Sequence, residues 1–340
     1  MKTTWQTLVA VLLTASAFGA QAGDYSDNPE AQAFVKQFSA QYGWPVEQVA
    51  AIIDQARRKN SIIKAMARPA EKIEPWYVYR RRVNRARIMD GARFWKSNRT
   101  ILERVQTKLG VDPAVVVAII GFETRYGRIT GNHPVLDALA TLSFDYPDTP
   151  SKARREKFFQ SELAQFLLLT REEHIDPLNA KGSYAGAMGY GQFMPSSYRQ
   201  YAVDFDGDGH RDLWNSKDDI LASVANYLKQ RGKWQPGEPV AVPASVTGTA
   251  YRELLDKGTR PSIPVSELGR YGVTIDKPVA PDLLAALIEL DGEKGPEYWV
   301  TFNDFYAIFS YNPRNKYAMA VHQLAEGIEK EMNTVIDDNP

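Results

Sequence analysis

A lone glutamic acid near the end of an apolar run, followed about 60 residues later by a glycine-rich segment with one amide, is the part of this 340-residue chain best suited to chemistry. The first segment is GFETRYG, Gly121 to Gly127, and the second is GAMGYGQFMP, Gly186 to Pro195. Asp112 and Pro113 are start signals for a helix that Gly127 would end, which puts Glu123 in its last turn or so. At helical spacing Glu123 shares a face with Val116, Ile119 and Ile120. Apolar burial and the negative end of the helix dipole both disfavour a carboxylate, so this acid is expected to keep its proton towards neutral pH. Arg125, two positions on, points to a different side of the helix. An acid poised in this way can protonate a glycosidic oxygen. The competing reading is a glutamate ion-paired with an arginine inside a helix bundle, and periodicity leaves both open. Ordinary glycosidases need a second carboxylate. Asp145, Glu162 and Asp176 are available, but none sits in a comparable motif.

In the second segment Gly186, Gly189 and Gly191 allow close approach of backbone to a ligand, while Met188 and Phe193 supply packing. A tight structural turn with a buried Gln192 fits the same pattern. A third segment, Asp204 to Asp219, begins like an EF-hand: Asp204, Asp206 and Asp208 alternate, Gly209 gives the sharp turn, and the His210 carbonyl follows. Asn215 stands where the closing glutamate is usual, so ordinary closure is in doubt. Hard oxygen donors favour Ca²⁺, with Na⁺ as the looser alternative, in a structural role. An acidic turn without metal is the alternative. The four histidines show no ligand spacing, which argues against a catalytic zinc.

Elements to position these groups follow from caps and periodicity. The N-terminal third reads helical, with segments Pro29 to Gly43, Pro45 to Lys59 and Asn84 to Leu109. The stretch EPWYVYRRRVNRAR, containing Trp76, Tyr77 and Tyr79, reads first as a solvated basic helix face and second as a cleft wall. Helical pattern continues from Asp112 to Arg231, with loops at Thr130 to Pro150 and Ile175 to Pro195. From Gln235 the character becomes β-rich, through YWVTFNDFYAIFSYN, before a last helix from Arg314 to Glu331 and a polar, loose tail. Residues 1–22 read as a cleaved secretory signal: Lys2, the apolar Leu8 to Leu13, then Ala20-Gln21-Ala22 before Gly23. The chain has no cysteine, so it offers no thiol for a thioether lipid, and a soluble exported form is expected. Equal numbers of basic and acidic residues, 41 each, give no field pointing to nucleic acid or an anionic membrane.

Together with SYN at Ser310 to Asn312, the two glycine-flanked motifs resemble the lytic murein transglycosylase B family, glycoside hydrolase family 103, over most of the chain after residue 25. The resemblance implies a mainly α, α+β fold: a helical subdomain (23–110), a lysozyme-like core (111–235) holding the loop 204–218, a small antiparallel β insertion (236–305), a return to the core (306–332) and a loose tail (333–340). It implies cleavage of the bond between N-acetylmuramic acid and N-acetylglucosamine in peptidoglycan, leaving a 1,6-anhydro end, with Glu123 as sole catalytic acid. Ser183, Tyr184, Gln192, Tyr311 and Asn312 match substrate-contacting positions, Tyr311 being the one that could hydrogen-bond the acid. Arg154 and Arg155 match basic residues lining the groove, with a helix's solvent face as the equal alternative, and Tyr77 lies in the stretch that borders the groove. The ion would be held by Asp204, Asp206, Asp208, His210 and, closing the loop, Asp218. The family has lipoprotein and soluble forms; with no cysteine, this chain is expected in the periplasm without a lipid anchor or any integral membrane segment after signal removal. Peptidoglycan strands with peptide stems are the partner, and cell-wall synthases are further candidates. A hydrolytic muramidase and a non-catalytic, calcium-stabilised wall-binding scaffold are the alternatives.

Overall fold

The computed structural model describes residues 23–67 and 74–337, so the expected signal lies outside the described residues. Two compact units divide them, one ending at Ala56 and one beginning at Arg57. In the first, Asn28 caps α1 (Pro29–Tyr42) by accepting from the amides of Glu30 (2.9 Å) and Ala31 (3.1 Å). Gly43, at φ 70°, ends that helix in the left-handed region. Pro45 precedes α2 (Val46–Ile53), and Phe34, Phe38, Trp44 and Val49 form the buried face.

The second helix stops at Ile53, short of the expected Lys59. The amides of Arg57 and Lys59 are taken by the side chains of Asp137 (2.8 Å) and Thr141 (3.0 Å), so they are not free for a helical ladder. In the second unit α3 (Asn60–Ala67) follows directly, and α4 (Trp76–Tyr79) runs into a single 3₁₀ turn. The single helix expected over Asn84 to Leu109 is two, α5 (Arg85–Ser97) and α6 (Arg99–Leu109). Asn98 breaks it: its side-chain amide donates to the Phe94 carbonyl (2.7 Å) and its own carbonyl receives the first amide of α6, from Leu102 (3.0 Å). These helices pack on the core, so the unit boundary falls at Arg57 and not at residue 110.

Asp112 caps α7 (Pro113–Thr124), whose residues are buried all round except Phe122 and Glu123. β1 (His133–Pro134) then leads into α8 (Val135–Phe144), where a loop was expected. All ten α8 residues are buried, Asp137, Thr141 and Ser143 included, so no polar face marks the run as amphipathic. Next come α9 (Lys152–Glu172), β2 (Lys181–Gly182) paired antiparallel with β1, α10 (Pro195–Tyr201) and α11 (Lys217–Gln230).

The β-rich stretch forms one antiparallel sheet from β3 (Ala241–Val246), β4 (Ile263–Pro264), β5 (Val273–Ile275), β6 (Leu284–Gly292) and β7 (Gly295–Thr301), in the order β4-β6-β7-β3-β5. The short α12 (Arg252–Asp256) covers it, and Leu254, Leu287, Val300 and Phe302 join its own apolar core. The β pattern ends at Thr301, earlier than expected. Phe305 and Ile308 lie on one helical face, and residues 303–311 form α13 (Asn303–Tyr311). α14 (Asn315–Asp337) extends past Glu331, so residues 333–337 are helical where a loose tail was expected. It packs against α5, α7 and α13 and closes the core around the helix that bears Glu123. Among the described residues no single helix is long and apolar enough to cross a membrane.

Candidate active site

The end of α7 is built to stop abruptly and to meet the glycine-rich segment. Arg125, Tyr126 and Gly127 take successive left-handed conformations, φ 50°, 61° and 85°. That reversal costs backbone strain at two non-glycine positions. A side chain at Gly127 would overlap the Tyr190 ring, its Cβ falling 1.9 Å from the nearest ring atom. Thr124 fastens the two segments together: its hydroxyl donates to the Tyr190 carbonyl (3.0 Å) and accepts from the Gly127 amide (3.0 Å).

Glu123 is half-buried as a residue, with its carboxyl group crowded by protein. Burial pushes its pKa from 4.5 to about 7, against the opposing pull of a hydrogen bond from Tyr317. The Tyr317 hydroxyl donates to Glu123 Oε1 at 2.7 Å. Tyr317 is itself buried, in the first turns of α14, and its ring meets that of Phe122 edge-on at 6.0 Å. Burial and the Glu123 charge hold the Tyr317 hydroxyl far above its usual pKa, so it stays a donor.

Tyr311, expected to bond the acid, donates instead to the Gly191 carbonyl at 2.6 Å. Its ring lies 4.7 Å from Tyr227 and 5.9 Å from Phe193, forming the floor beneath the glycine-rich loop. Tyr311 still feels the Glu123 charge, as does Tyr79 on α4. Tyr317 was missed because nothing in the sequence separates one tyrosine of a helix from sixteen others in the chain. The Tyr-Asn motif drew attention to a residue six positions too early.

The loop is held by its own polar atoms. Ser183 Oγ accepts from the amides of Ala185 (3.3 Å) and Ala187 (3.1 Å), and Met188 and Phe193 exchange amide-to-carbonyl bonds of 2.8 and 2.9 Å. Gln192 sits at φ 51° with its side-chain nitrogen donating to the carbonyls of Thr130 and Gly189, both at 3.0 Å. Its amide oxygen makes no hydrogen bond within the described residues, which leaves an acceptor for a ligand N–H. Tyr184 projects from the loop, 47% exposed. Asn312 caps the end of α13 in an extended conformation, half-buried, just before the turn into α14.

The remaining groove candidates are placed less tightly. Arg154 is exposed at the start of α9, while the Arg155 guanidinium stacks on Phe159 (4.8 Å) and Phe158 (5.0 Å). Tyr77 is half-buried on α4. The three other carboxylates considered as partners are engaged elsewhere. Asp145 pairs with Arg58 (3.2 Å), Asp176 accepts from Leu178, and Glu162 accepts from both the amide and hydroxyl of Ser196 at the start of α10.

The acidic loop brings Asp204, Asp206 and Asp219 together, with one carboxylate oxygen of each within 4.8 Å of the others. Asp219 therefore takes the closing place expected of Asp218. Ser216 caps α11, and one residue along a helix turns the side chain by about 100°. Asp218 consequently faces outward, to Arg104 (2.7 Å), while Asp219 is buried and accepts from the amides of Phe205 (2.7 Å) and Asp212 (2.8 Å). Asp208 accepts from the His210 amide (2.8 Å) on the exposed arm of the loop. This oxygen-rich set suits a hard cation.

The family model for the transglycosylase SLT domain matches residues 26–326. The chain belongs to that family. It is 42% identical over 316 residues to the Escherichia coli (strain K12) membrane-bound lytic murein transglycosylase B, covering 90% of this chain and 84% of that one. The catenated lytic transglycosylase SltB1 of Pseudomonas aeruginosa superposes with a TM-score of 0.84 at 42% identity, covering 91% of this chain and 100% of its own. The lytic transglycosylase Slt35 of Escherichia coli, solved in complex with calcium, gives 0.79 at 40% identity, with 92% and 96% covered. This transglycosylase SLT-domain chain is accordingly an enzyme with the mainly helical, lysozyme-like α+β architecture that its motifs implied.

Proposed function

We propose that the chain is a lytic transglycosylase of peptidoglycan that cuts the β-1,4 bond between N-acetylmuramic acid and N-acetylglucosamine without water, using Glu123 as both acid and base. The observation that carries this is the Glu123 carboxyl group, its pKa raised to about 7, with a tyrosine hydroxyl fixed on one of its oxygens. The engagement of Asp145, Glu162 and Asp176 in ion pairs, turns and caps supports a one-carboxylate mechanism.

Glu123 donates its proton to the glycosidic oxygen as that oxygen leaves C1 of N-acetylmuramic acid. The neighbouring N-acetyl carbonyl shares the positive charge at C1, as in substrate-assisted glycosidases. The Glu123 carboxylate then removes the proton from the C6 hydroxyl, and the C6 oxygen bonds to C1. Glu123 ends neutral, ready for another turnover, and no water is consumed. An internal nucleophile held in place outcompetes bulk water through effective molarity. In this reading Ser183, Tyr184, the Gln192 amide oxygen, Tyr311 and Asn312 orient the acetamido sugars, and Tyr77, Arg154 and Arg155 line the approach for strands and their stems. Tyr317 keeps the acid pointed at the bond.

Mass spectrometry of fragments released from purified murein tests the reaction. Muramic ends lighter by one water are expected; intact reducing ends would make the enzyme a hydrolase. A second measurement isolates Tyr317. Its hydrogen bond favours the ionised acid, so Tyr317→Phe should raise the Glu123 pKa and carry the alkaline limb of the pH–rate profile upward by about one unit. An unmoved limb would detach Tyr317 from the acid.

Calcium binding at Asp204, Asp206 and Asp219, with Asp208 and the His210 carbonyl completing the shell, belongs to the same reading; the relative solved with calcium supports it. Its role would be to stiffen the loop ahead of α11. Export to the periplasm on a cleaved signal, without a lipid anchor, and contact with cell-wall synthases complete the proposal.

A further inference from the structure

Away from Glu123, the turn after α9 and the acidic loop before α11 face each other across a cavity of about 680 Å³, within the range of small-ligand sites. Trp214 gives it aromatic surface, and Asp176, Asn179, Asp212 and Asn215 give it amides and carboxylates. These polar groups are already oriented. Asp176 accepts from the Leu178 amide (3.0 Å) and from Asn179 (2.6 Å), while Asp212 accepts from the Trp214 amide (2.8 Å) and the Asn215 side chain (2.9 Å). Rigid carboxylate–amide pairs beside an indole suit a sugar: the pairs have spare donors and acceptors for hydroxyl and acetamido groups, and the indole offers a flat apolar face.

The cavity is also tied to the glycine-rich loop from two sides. Lys181 lines it, and Ser183 follows two residues later, no more than about 7 Å of extended chain. The Trp214 indole N–H donates to the Lys181 carbonyl (2.9 Å), and the adjacent Leu213 carbonyl receives the Tyr190 amide (3.0 Å). A polymer lying across exposed Tyr184 can therefore continue into the cavity. His174 forms one wall. It ends α9 at φ 54°, a left-handed position normally given to glycine, and sets its ring edge-on to His210 at 6.0 Å. Strained backbone of this kind clusters at functional sites.

We propose that this cavity is a second carbohydrate subsite, which holds an N-acetylated sugar of the same glycan strand away from the point of cleavage. The choice of polymer rests on the function proposed above. Asp208 and His210 belong both to this wall and to the acidic loop, so a cation that orders the loop also shapes the subsite.

The test uses the full chain carrying Glu123→Gln, with chitotetraose as probe. NMR follows the Trp214 indole N–H, assigned by its loss in Trp214→Phe, and the Gln192 side-chain amide. Saturable shifts are expected at both. Asn215→Ala should weaken binding reported by Trp214 about fivefold, the worth of one net hydrogen bond, and the Gln192 report should weaken with it, because one strand spans both places. His174→Gly should keep the fold, because glycine suits that backbone, and should likewise weaken the Trp214 response. Shifts at Gln192 with none at Trp214 overturn the subsite and leave the function standing; silence at both overturns the glycan reading itself. A Trp214 response untouched by both substitutions also overturns the assignment.

Discussion

Glu123→Gln is expected to lower peptidoglycan cleavage by at least about a thousandfold, because one side chain performs two proton transfers and each contributes roughly 10²–10⁴. Turnover followed by release of soluble muropeptides measures it, and activity within tenfold of the parent would falsify the assignment. The same substitution should make the protein more stable above neutral pH. The folded state holds the Glu123 proton between pH 4.5 and about 7, where the unfolded chain has lost it. Stability contributed by this group therefore falls as pH rises through that window, by about 3 kcal/mol at most once pH exceeds 7. Glutamine does not titrate and escapes the loss. Melting curves should coincide near pH 4 and separate near pH 8, the variant melting higher. Lost activity with gained stability distinguishes removal of an acid from damage to the fold.

The second large effect lies in the acidic loop, between two adjacent aspartates. Asp219→Ala removes a buried carboxylate and leaves the Phe205 and Asp212 amides without their partner. Unpaired buried donors cost about 1–3 kcal/mol each, so a loss of roughly 2–6 kcal/mol is expected before any ion is considered. Asp218→Ala removes only a partly exposed ion pair with Arg104, worth about 0–1 kcal/mol. Calorimetry with and without calcium checks both. The parent and Asp218→Ala should melt lower after chelation, whereas Asp219→Ala should melt low throughout. Equal melting temperatures for the two alanine variants would return Asp218 to the loop.

Much of the site can be read from the sequence because its signals are local. A cap-and-proline start, an apolar run and a glycine locate Glu123 near a helix end, and alternating aspartates with a glycine locate the acidic loop. What escapes is non-local or turns on one residue of phase. Tyr317 reaches Glu123 across 194 positions. The choice of Asp219 over Asp218 depends on where Ser216 starts a helix, and helix ends are set by single side-chain bonds. The breaks after Ile53 and at Asn98 have the same origin: polar side chains that capture amides or carbonyls a continuous helix would have used. α8 was hidden for the opposite reason, since burial on every side erases the periodicity that betrays a helix. His174 and His210 stand 36 positions apart with no motif between them, so their facing rings could be found only in three dimensions.

The long reach from Tyr317 to Glu123 also bears on when the enzyme becomes dangerous. A wall-cutting protein threatens the cell that makes it, and here the acid is synthesised well before the hydroxyl that steadies it. The inserted sheet lies between them in chain order, so a nascent or truncated polypeptide ending before Asn315 has the proposed proton donor but not the tyrosine that bonds it. On the proposed mechanism full potency would arrive only when synthesis is nearly finished, which would give the order of the chain a protective value of its own.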